Sequence, residues 1–314
     1  MTGSTRTLRS GDQRTDTTGR PVVPRRQRSS WAARLESAAF LIPAVVLVTA
    51  LLTLPFLATF YRSFFNDRFI NQGFTGFANY ERMFSDPAVL KSLLNTLLWL
   101  VGTVLLPIGL GLSIAVMTNA VKWGRIARLA VVLPYAISGS AVAVVWNFML
   151  QSGGALNQAL TSLGLGSLAH DWLLTWPLNT VSMIVANAWQ ATGVAVILFL
   201  VGLQAIPPET IEAAALDGAV GWSRFRHVVF PQLRTVTVVV VGISLVNGLK
   251  AFDLIWVLAQ GGPARSTETL AVSMYWETFV LQRPGAGAAV AVVLTLVVLA
   301  ASWFYLRRQL RPAD

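Results

Sequence analysis

The chain has 314 residues, of which 54% are hydrophobic and 12% are charged, and its formal net charge is +10. Soluble domains carry roughly 25% charged residues, so this composition excludes an ordinary soluble domain and indicates an integral membrane protein. The absence of cysteine excludes disulfides, thiol nucleophiles and cysteine metal sites.

The N-terminal segment, residues 1–34, is rich in Arg, Ser, Thr and Gly and holds eight arginines. This composition predicts a disordered basic tail on the cytoplasmic side. A nucleic-acid-binding arm would interleave aromatic residues with the arginines, and none occurs before Trp31. We therefore predict a tail followed by one membrane domain over residues 35–314, with no nucleic-acid partner.

Apolar windows predict six transmembrane helices and hence an all-α integral membrane protein in a lipid bilayer. Each window is long enough to cross a hydrocarbon core of about 30 Å. The first window is too long for a signal peptide and no small-x-small cleavage site follows it, so we interpret it as a retained anchor. The windows are residues 38–61, 92–118, 129–150, 178–203, 235–258 and 286–306.

The distribution of Lys and Arg predicts the orientation of these spans. With the N-terminus inside, 17 basic residues lie in inside segments and 6 lie in outside segments; without the tail the split is 9 to 6. We therefore predict a multi-pass protein of the cytoplasmic membrane with both termini in the cytoplasm. The segment between the fourth and fifth spans, residues 204–234, then also faces the cytoplasm.

The 204–234 loop has the pattern of a small folded unit. Pro207 and Pro208 favour a helix start, Gly218 a helix stop, and a second short helix over 222–229 is expected to end before Pro231. The first helix is acidic, so anionic lipid would repel it. This favours docking of the loop into a groove on another protein.

The same loop resembles the E-A-A…D-G-A…P-x-L signature of permease subunits of ATP-binding-cassette (ABC) importers. More closely, the chain resembles carbohydrate permeases of the maltose MalF type and the sn-glycerol-phosphate-like type, and the resemblance covers nearly the whole chain after about residue 35. Two departures are Val228-Val229-Phe230-Pro231 for the usual Ile-x-Leu-Pro ending, and Arg234 near a common second proline. The matching residues are Glu212-Ala213-Ala214, Asp217-Gly218-Ala219, Phe225, Pro231-Gln232-Leu233, Phe252-Asp253, Gly261-Gly262-Pro263, Ser266-Thr267-Glu268-Thr269, Asn79-Tyr80 and Asn95-Thr96.

The resemblance implies the MetI-like fold of type I ABC importer permeases, and it implies the partners. These are a second homologous permease subunit, two ABC ATPase subunits and an extracytoplasmic solute-binding protein. The loop would act as the coupling helix that docks in the ATPase. The coupling residues it implies are Glu212, Ala213, Ala214, Asp217, Gly218 and Pro231.

The sequence contains no recognisable catalytic motif. Its lysines are Lys91, Lys122 and Lys250, and none ends a G-x-x-x-x-G-K-[ST] phosphate loop. His170 and His227 have no partner at metal-ligand spacing. We therefore expect a non-enzymatic subunit with no cofactor or metal, whose partner ATPases bind ATP and Mg²⁺.

Polar residues inside the fourth and fifth spans are the candidates for solute binding, because such residues are costly in a membrane unless functional or paired. We predict Asn187, Gln190, Ser244 and Asn247 as substrate-binding residues, and the resemblance implies a sugar cavity at the positions of the last three. Ordinary hydrogen bonds between helices are the alternative. Lys250 and Asp253 are expected to form a pair or to lie at the outer interface; a cavity-facing Lys250 would instead favour an anionic solute.

These observations predict a sugar-importing permease working by alternating access. The alternative solutes for an importer of this kind are a polyol, a glycerol-phosphate-type compound or an amino acid. A secondary transporter or a membrane scaffold would be a different class of protein, and no internal inverted repeat supports the transporter.

Overall fold

The computed structural model describes residues 41–67, 73–119, 121 and 123–309. The predicted tail 1–34 lies outside the described residues, as do Arg68, Lys122 and Arg311, which entered the orientation count. The chain divides into two units, Met1–Leu57 and Ala58–Asp314. The described part of the first unit is apolar helix with exposed side chains.

The regular structure of the described residues is helical, apart from one isolated bridge between Phe65 and Phe74. The fourth helix continues as a 3₁₀ turn to Ala136, and the twelfth as a π-helical turn, Trp276–Val280. In chain order the helices are α1 Leu41–Arg62, α2 Ala78–Ser85, α3 Pro87–Asn119, α4 Gly124–Val132, α5 Gly139–Leu150, α6 Ala155–Ser162, α7 Leu178–Gln204, α8 Pro208–Leu216, α9 Gly221–Gln232, α10 Arg234–Leu249, α11 Asp253–Ala259, α12 Leu270–Tyr275 and α13 Pro284–Gln309.

Length and composition identify four membrane-spanning helices among the described residues, namely α1, α3, α7 and α13. The number rises to six if each of two sharply bent helix pairs is counted as one span. This confirms the predicted all-α membrane class. The two bent pairs involve the third and fifth predicted spans.

The third span is not the continuous helix predicted over 129–150. The segment Gly124–Ala136 and the segment Gly139–Ser162 are bent by 105°. Pro134 lies in the 3₁₀ turn, Ile137 is extended, and Ser138 caps the next helix by accepting from the Ala141 N–H at 3.2 Å. The proline and the cap therefore end one helix and begin another inside an unbroken apolar run.

The fifth span, predicted as one helix over 235–258, is also interrupted. It ends as α10 at Leu249 and restarts as α11 at Asp253. The Thr269 hydroxyl donates to the Ala251 carbonyl at 2.9 Å, which satisfies a backbone acceptor within the break.

The short helix in the 204–234 loop was expected to stop before Pro231, but α9 runs to Gln232 because the π-helical turn Phe225–Val229 precedes the proline.

Small residues bring α3, α7 and α10 close together. A Cβ on Gly111 of α3 would lie 2.6 Å from the Ala195 Cβ of α7, and a Cβ on Gly202 would lie 2.7 Å from Val236 of α10. Such contacts let helix backbones approach closely in a membrane. The three helices frame the cavity described next.

Candidate functional site

The four predicted substrate-binding residues lie together on the wall of one cavity of about 330 Å³, called the central cavity below. Asn187 and Gln190 come from α7, and Ser244 and Asn247 come from α10. Residues three apart on a helix share a face, so each helix presents its pair to the same space. This geometry is what the solute-binding prediction requires, while the binding role itself stays a prediction.

The four side chains differ in the hydrogen bonds that they already make within the protein. The Gln190 amide donates to the Ile137 carbonyl at 2.6 Å and so helps to hold the break between α4 and α5. Among the described residues, Asn187, Ser244 and Asn247 make no side-chain hydrogen bond, although Ser244 is only 8% exposed. Because they lie on the cavity wall and have no side-chain partner within the described residues, these three are the groups most available to a solute.

Two other polar or aromatic positions on α7 lie away from the cavity wall. The Thr192 hydroxyl donates to the Ala188 carbonyl at 2.6 Å, one turn back in its own helix. The Trp189 ring packs edge-on against Trp146 with 6.1 Å between centroids. Trp189 is therefore not part of the cavity wall.

Lys250 and Asp253 flank the break between α10 and α11, and both side chains are exposed on the wall of the central cavity. No ion pair joins them within 4.0 Å, so the predicted intramembrane pair is wrong. On a continuous helix, residues three apart would be neighbours, but here one helix ends at Leu249 and the next begins at Asp253. The structure places Lys250 on the wall of the central cavity, while its position at the outer interface stays a prediction.

Trp99, Thr103 and Tyr135 also line the central cavity and were not predicted. Trp99 is fully buried, and its indole N–H has no hydrogen-bond partner within the described residues. The Thr103 hydroxyl donates to the Trp99 carbonyl at 2.6 Å. An aromatic residue or a threonine in an apolar span is ordinary packing material, so the sequence carries no signal that separates these three from the core.

The 204–234 loop folds as the two helices α8 and α9 joined by a glycine turn. Gly218 has a φ of +80°. The Ala219 N–H bonds to the Ala214 carbonyl at 2.9 Å and the Gly218 N–H to the Ala215 carbonyl at 3.1 Å. This is the Schellman arrangement, in which a left-handed glycine closes a helix. The predicted start at Pro208 and the stop at Gly218 are both found.

The predicted coupling residues lie mostly on the outer surface of this loop. Glu212, Ala213, Asp217, Gly218 and Pro231 are exposed. Beside them stand Leu216, Val220 and Trp222, which we call the loop patch; Leu216 is 90% exposed and Trp222 is 72% exposed. Large apolar side chains clustered at a polar surface mark an interaction site.

The sixth predicted coupling residue, Ala214, is only 8% exposed and packs on the inner side of the loop. Larger side chains further along fix the loop to the spans. Leu233 is fully buried in one cluster with Phe199 and Leu200 of α7, and Val229 packs against that cluster. The loop is thus attached to the helix that carries Asn187 and Gln190, and it leads directly into α10.

A buried charge cluster stabilises the segment between α11 and α12. The Arg265 guanidinium contacts both oxygens of Glu268, at 2.6 Å and 3.0 Å, and also reaches Glu277 at 3.2 Å and Asp86 at 3.5 Å. Ser273 donates to Glu268 at 2.5 Å. We call these four charged residues the Arg265 cluster.

Burial sets the electrostatics of this cluster. It raises the pKa of the Glu268 carboxyl, against hydrogen bonds from Arg265 and Ser273 that lower it. Burial lowers the pKa of the Arg265 guanidinium, but the hydrogen bond to Glu268 and the nearby carboxylates outweigh it, so the pKa of Arg265 is raised. The charged forms of Arg265 and Glu268 therefore stabilise each other.

Asn95 of α3 connects the same segment to Trp176, which lies just before α7. Its amide donates to the carbonyls of Ser266 and Glu268 at 2.8 Å and 2.9 Å, and its oxygen accepts from the Trp176 indole at 3.0 Å. The Thr96 hydroxyl accepts from the Leu270 N–H at 2.9 Å. The motif residues near 95 and near 266–269, far apart in sequence, are therefore in direct contact.

Residues 107–312 match the family model described as the binding-protein-dependent transport system inner membrane component. A probable ABC transporter permease protein of Pyrococcus horikoshii is 37% identical over 264 residues, which cover 83% of this chain and 90% of that protein. The sn-glycerol-3-phosphate transport system permease protein UgpA of Rhizobium meliloti is 33% identical, covering 84% of this chain and 91% of its own. The alpha-glucoside transport system permease protein AglF of the same organism is 34% identical, covering 83% and 78%.

Two solved structures have a similar fold. A bacterial ABC transporter involved in import of the acidic polysaccharide alginate has a chain with a TM-score of 0.77 and 22% identity, covering 90% of this chain and 98% of its own. A bacterial alginate ABC transporter in complex with an alginate pentasaccharide-bound periplasmic protein gives a TM-score of 0.76, also at 22% identity, covering 89% and 96%. At this identity the likeness supports the fold, which is the MetI-like importer fold that was predicted.

Proposed function

We infer that this chain, which belongs to the family of binding-protein-dependent transport system inner membrane components and is the permease of an ABC importer, carries a sugar across the membrane. The central cavity carries the proposal. Sugars are bound by neutral donors and acceptors, and Asn187, Ser244 and Asn247 supply them from facing helices. The alpha-glucoside relative supports this cargo.

The proposal includes the partners that the chain needs. A second permease subunit, two ABC ATPases that bind ATP and Mg²⁺, and an extracytoplasmic solute-binding protein complete the importer. The solved complex with a periplasmic protein supports the last of these. The membrane protein is multi-pass; we propose that its termini and the 204–234 loop face the cytoplasm, where the ATPases would meet the loop.

The proposed mechanism passes motion from the loop patch to the central cavity. Closure of the ATPase dimer would shift α8 and α9, which present Leu216 and Trp222 to the partner. Leu233, buried against α7, would transmit this shift to α7 and α10. Because these two helices carry the solute-binding residues, their movement would turn the cavity outward, where it receives the solute.

A glycerol-phosphate-type solute or a polyol is the second candidate cargo. The UgpA relative and the cavity-facing Lys250 favour the phosphate-bearing solute. A secondary transporter or a scaffold would leave the exposed loop patch without a function, so we do not favour either.

Replacing Asn247 by alanine is expected to raise the KM for uptake about tenfold with little change in protein level. The amide is exposed to the cavity and has no partner within the described residues, so its loss costs a solute hydrogen bond of about 1 kcal/mol or slightly more. The measurement is ATP-driven uptake of the sugar that the wild type transports fastest. Ser113→Ala, on the exposed side of α3, is the control; an unchanged KM in Asn247→Ala would remove this residue from the site.

A further inference from the structure

Another cavity, of about 280 Å³, lies between the 204–234 loop and the ends of two membrane spans, and we call it the loop cavity. Its wall includes Asn119, the last residue of α3, and Leu203, which lies one residue before the end of α7. The cavity is therefore at the depth where these spans leave the hydrocarbon. Trp123, just beyond α3, is 78% exposed and fits this depth, because tryptophan is enriched at membrane–water interfaces.

The wall of the loop cavity combines an apolar body with one cation. Arg224 of α9 is the only charged side chain on the described wall, and the carboxylates of α8 are not part of it. The amide of Asn119 adds a second polar group. The apolar part of the wall is formed by Val116, Leu203, Ile206, Ile211, Phe225 and Val229.

Arg224 is half-buried and unpaired within the part of the chain that the structure describes. It has no carboxylate within 4.0 Å and makes no side-chain hydrogen bond there. A partly buried charge without a partner is costly. A guanidinium binds phosphate oxygens through paired, charge-assisted hydrogen bonds, so an anionic phosphate in the cavity would offset this cost.

We propose that the loop cavity binds an anionic phospholipid from the leaflet on the side of the loop, with the lipid phosphate on Arg224 and Asn119. The apolar wall favours a lipid over free phosphate, because it receives the first carbons of the acyl chains. Basic pockets between membrane helices bind lipid headgroups in this way.

The charge of the wall also selects the headgroup. A zwitterionic lipid carries an ammonium group, and the described wall has no carboxylate to meet it. The favoured headgroup is therefore one with a net negative charge, such as phosphatidylglycerol. The bound lipid joins α9 to the ends of α3 and α7, and so holds the loop against the spans.

The test measures the lipid that stays bound to the purified complex of this chain with its partner subunits. The complex is equilibrated in detergent with equal amounts of phosphatidylglycerol and phosphatidylcholine, and the retained lipid is quantified by mass spectrometry. We expect the wild type to retain phosphatidylglycerol in preference. Arg224→Gln should lower its retention about fivefold, the factor that one basic residue contributes at an anionic membrane surface. Arg224→Lys should retain most of it.

A second variant acts on the apolar wall and leaves the charge in place. Val116→Phe adds a ring at the cavity wall and should also lower the retention of phosphatidylglycerol. Arg226→Gln is the matched control, because Arg226 lies on the same helix but is exposed and not on the described wall. Its retention should equal that of the wild type.

Four results would overturn the lipid site. Two are an equal retention of both lipids by the wild type, and an equal loss in Arg224→Gln and Arg226→Gln. The third is displacement of the lipid by inorganic phosphate but not by chloride at the same ionic strength, which would indicate a site for a free anion. The fourth is loss of the ATPase from Arg224→Gln with lipid retention unchanged, which would make Arg224 a contact to the ATPase. Since no uptake is measured, each of them leaves the proposed importer function standing.

Discussion

Replacing Gly218 by valine is expected to abolish ATP-driven uptake while the protein still inserts in the membrane. Gly218 has a φ of +80°, and a Cβ built on it meets nothing within 4 Å. The cost is therefore conformational and not steric crowding: the left-handed region costs L residues about 1–2 kcal/mol, and β-branched residues are strong outliers there. Relief of this strain would change the angle between α8 and α9 and displace the loop patch.

Two controls separate the turn from mere bulk. Gly218→Asn keeps a residue that tolerates the left-handed region and should retain most uptake. Gly153→Val adds the same side chain at an exposed glycine that also has open space and no left-handed φ, and it should behave as the wild type. Uptake is measured in membranes with matched amounts of protein. Full uptake by Gly218→Val would count against the coupling role of the loop.

Replacing Arg265 by methionine is expected to lower the free energy of unfolding by about 3–5 kcal/mol, because it leaves buried carboxylates uncompensated. The Glu268 side chain is fully buried and the Glu277 side chain is 4% exposed. The control is Arg82→Met, which removes a pair at 2.7 Å in which Arg82 is 54% exposed. Such a surface pair contributes about 0–1 kcal/mol.

The deficit of the Arg265→Met protein should grow with pH. Burial raises the pKa of Glu268 above its ordinary value of 4.5, and removing Arg265 takes away a group that lowers it. A group that binds its proton more tightly in the folded state loses stability as pH rises from the unfolded pKa through the folded one. Unfolding of the purified protein in a detergent series at several pH values measures this. Equal losses in Arg265→Met and Arg82→Met, independent of pH, would contradict the account of the cluster.

Hydropathy located the membrane segments but could not locate their breaks. The third span continues apolar through Ile137, and the fifth remains apolar on both sides of residues 250–252. The partners that hold these breaks lie far along the chain: Gln190 donates to Ile137, and Thr269 donates to Ala251. Hydropathy averaged over a window does not show a break in a helix. Local periodicity cannot identify a hydrogen-bond partner that is distant in the sequence.

The loop was the most predictable part of the candidate site because its geometry is local. Pro208 and Gly218 act on their own backbone, and both act as predicted. Lys250 and Asp253 show the opposite case, since their spacing implies a pair only on an unbroken helix. The Arg265 cluster could not be predicted from the sequence either, because Asp86 and Arg265 are far apart in the chain and only the tertiary fold brings them into contact.

Purification of the tagged chain from its native membrane, followed by reconstitution, tests the coupling role of the loop most directly. We expect that an ABC ATPase and a second permease subunit come with the chain, and that uptake stops when vanadate blocks ATP hydrolysis. If the chain purifies without an ATPase and still transports solute when ATP hydrolysis is blocked, the 204–234 loop does not couple this permease to separate ATPase subunits.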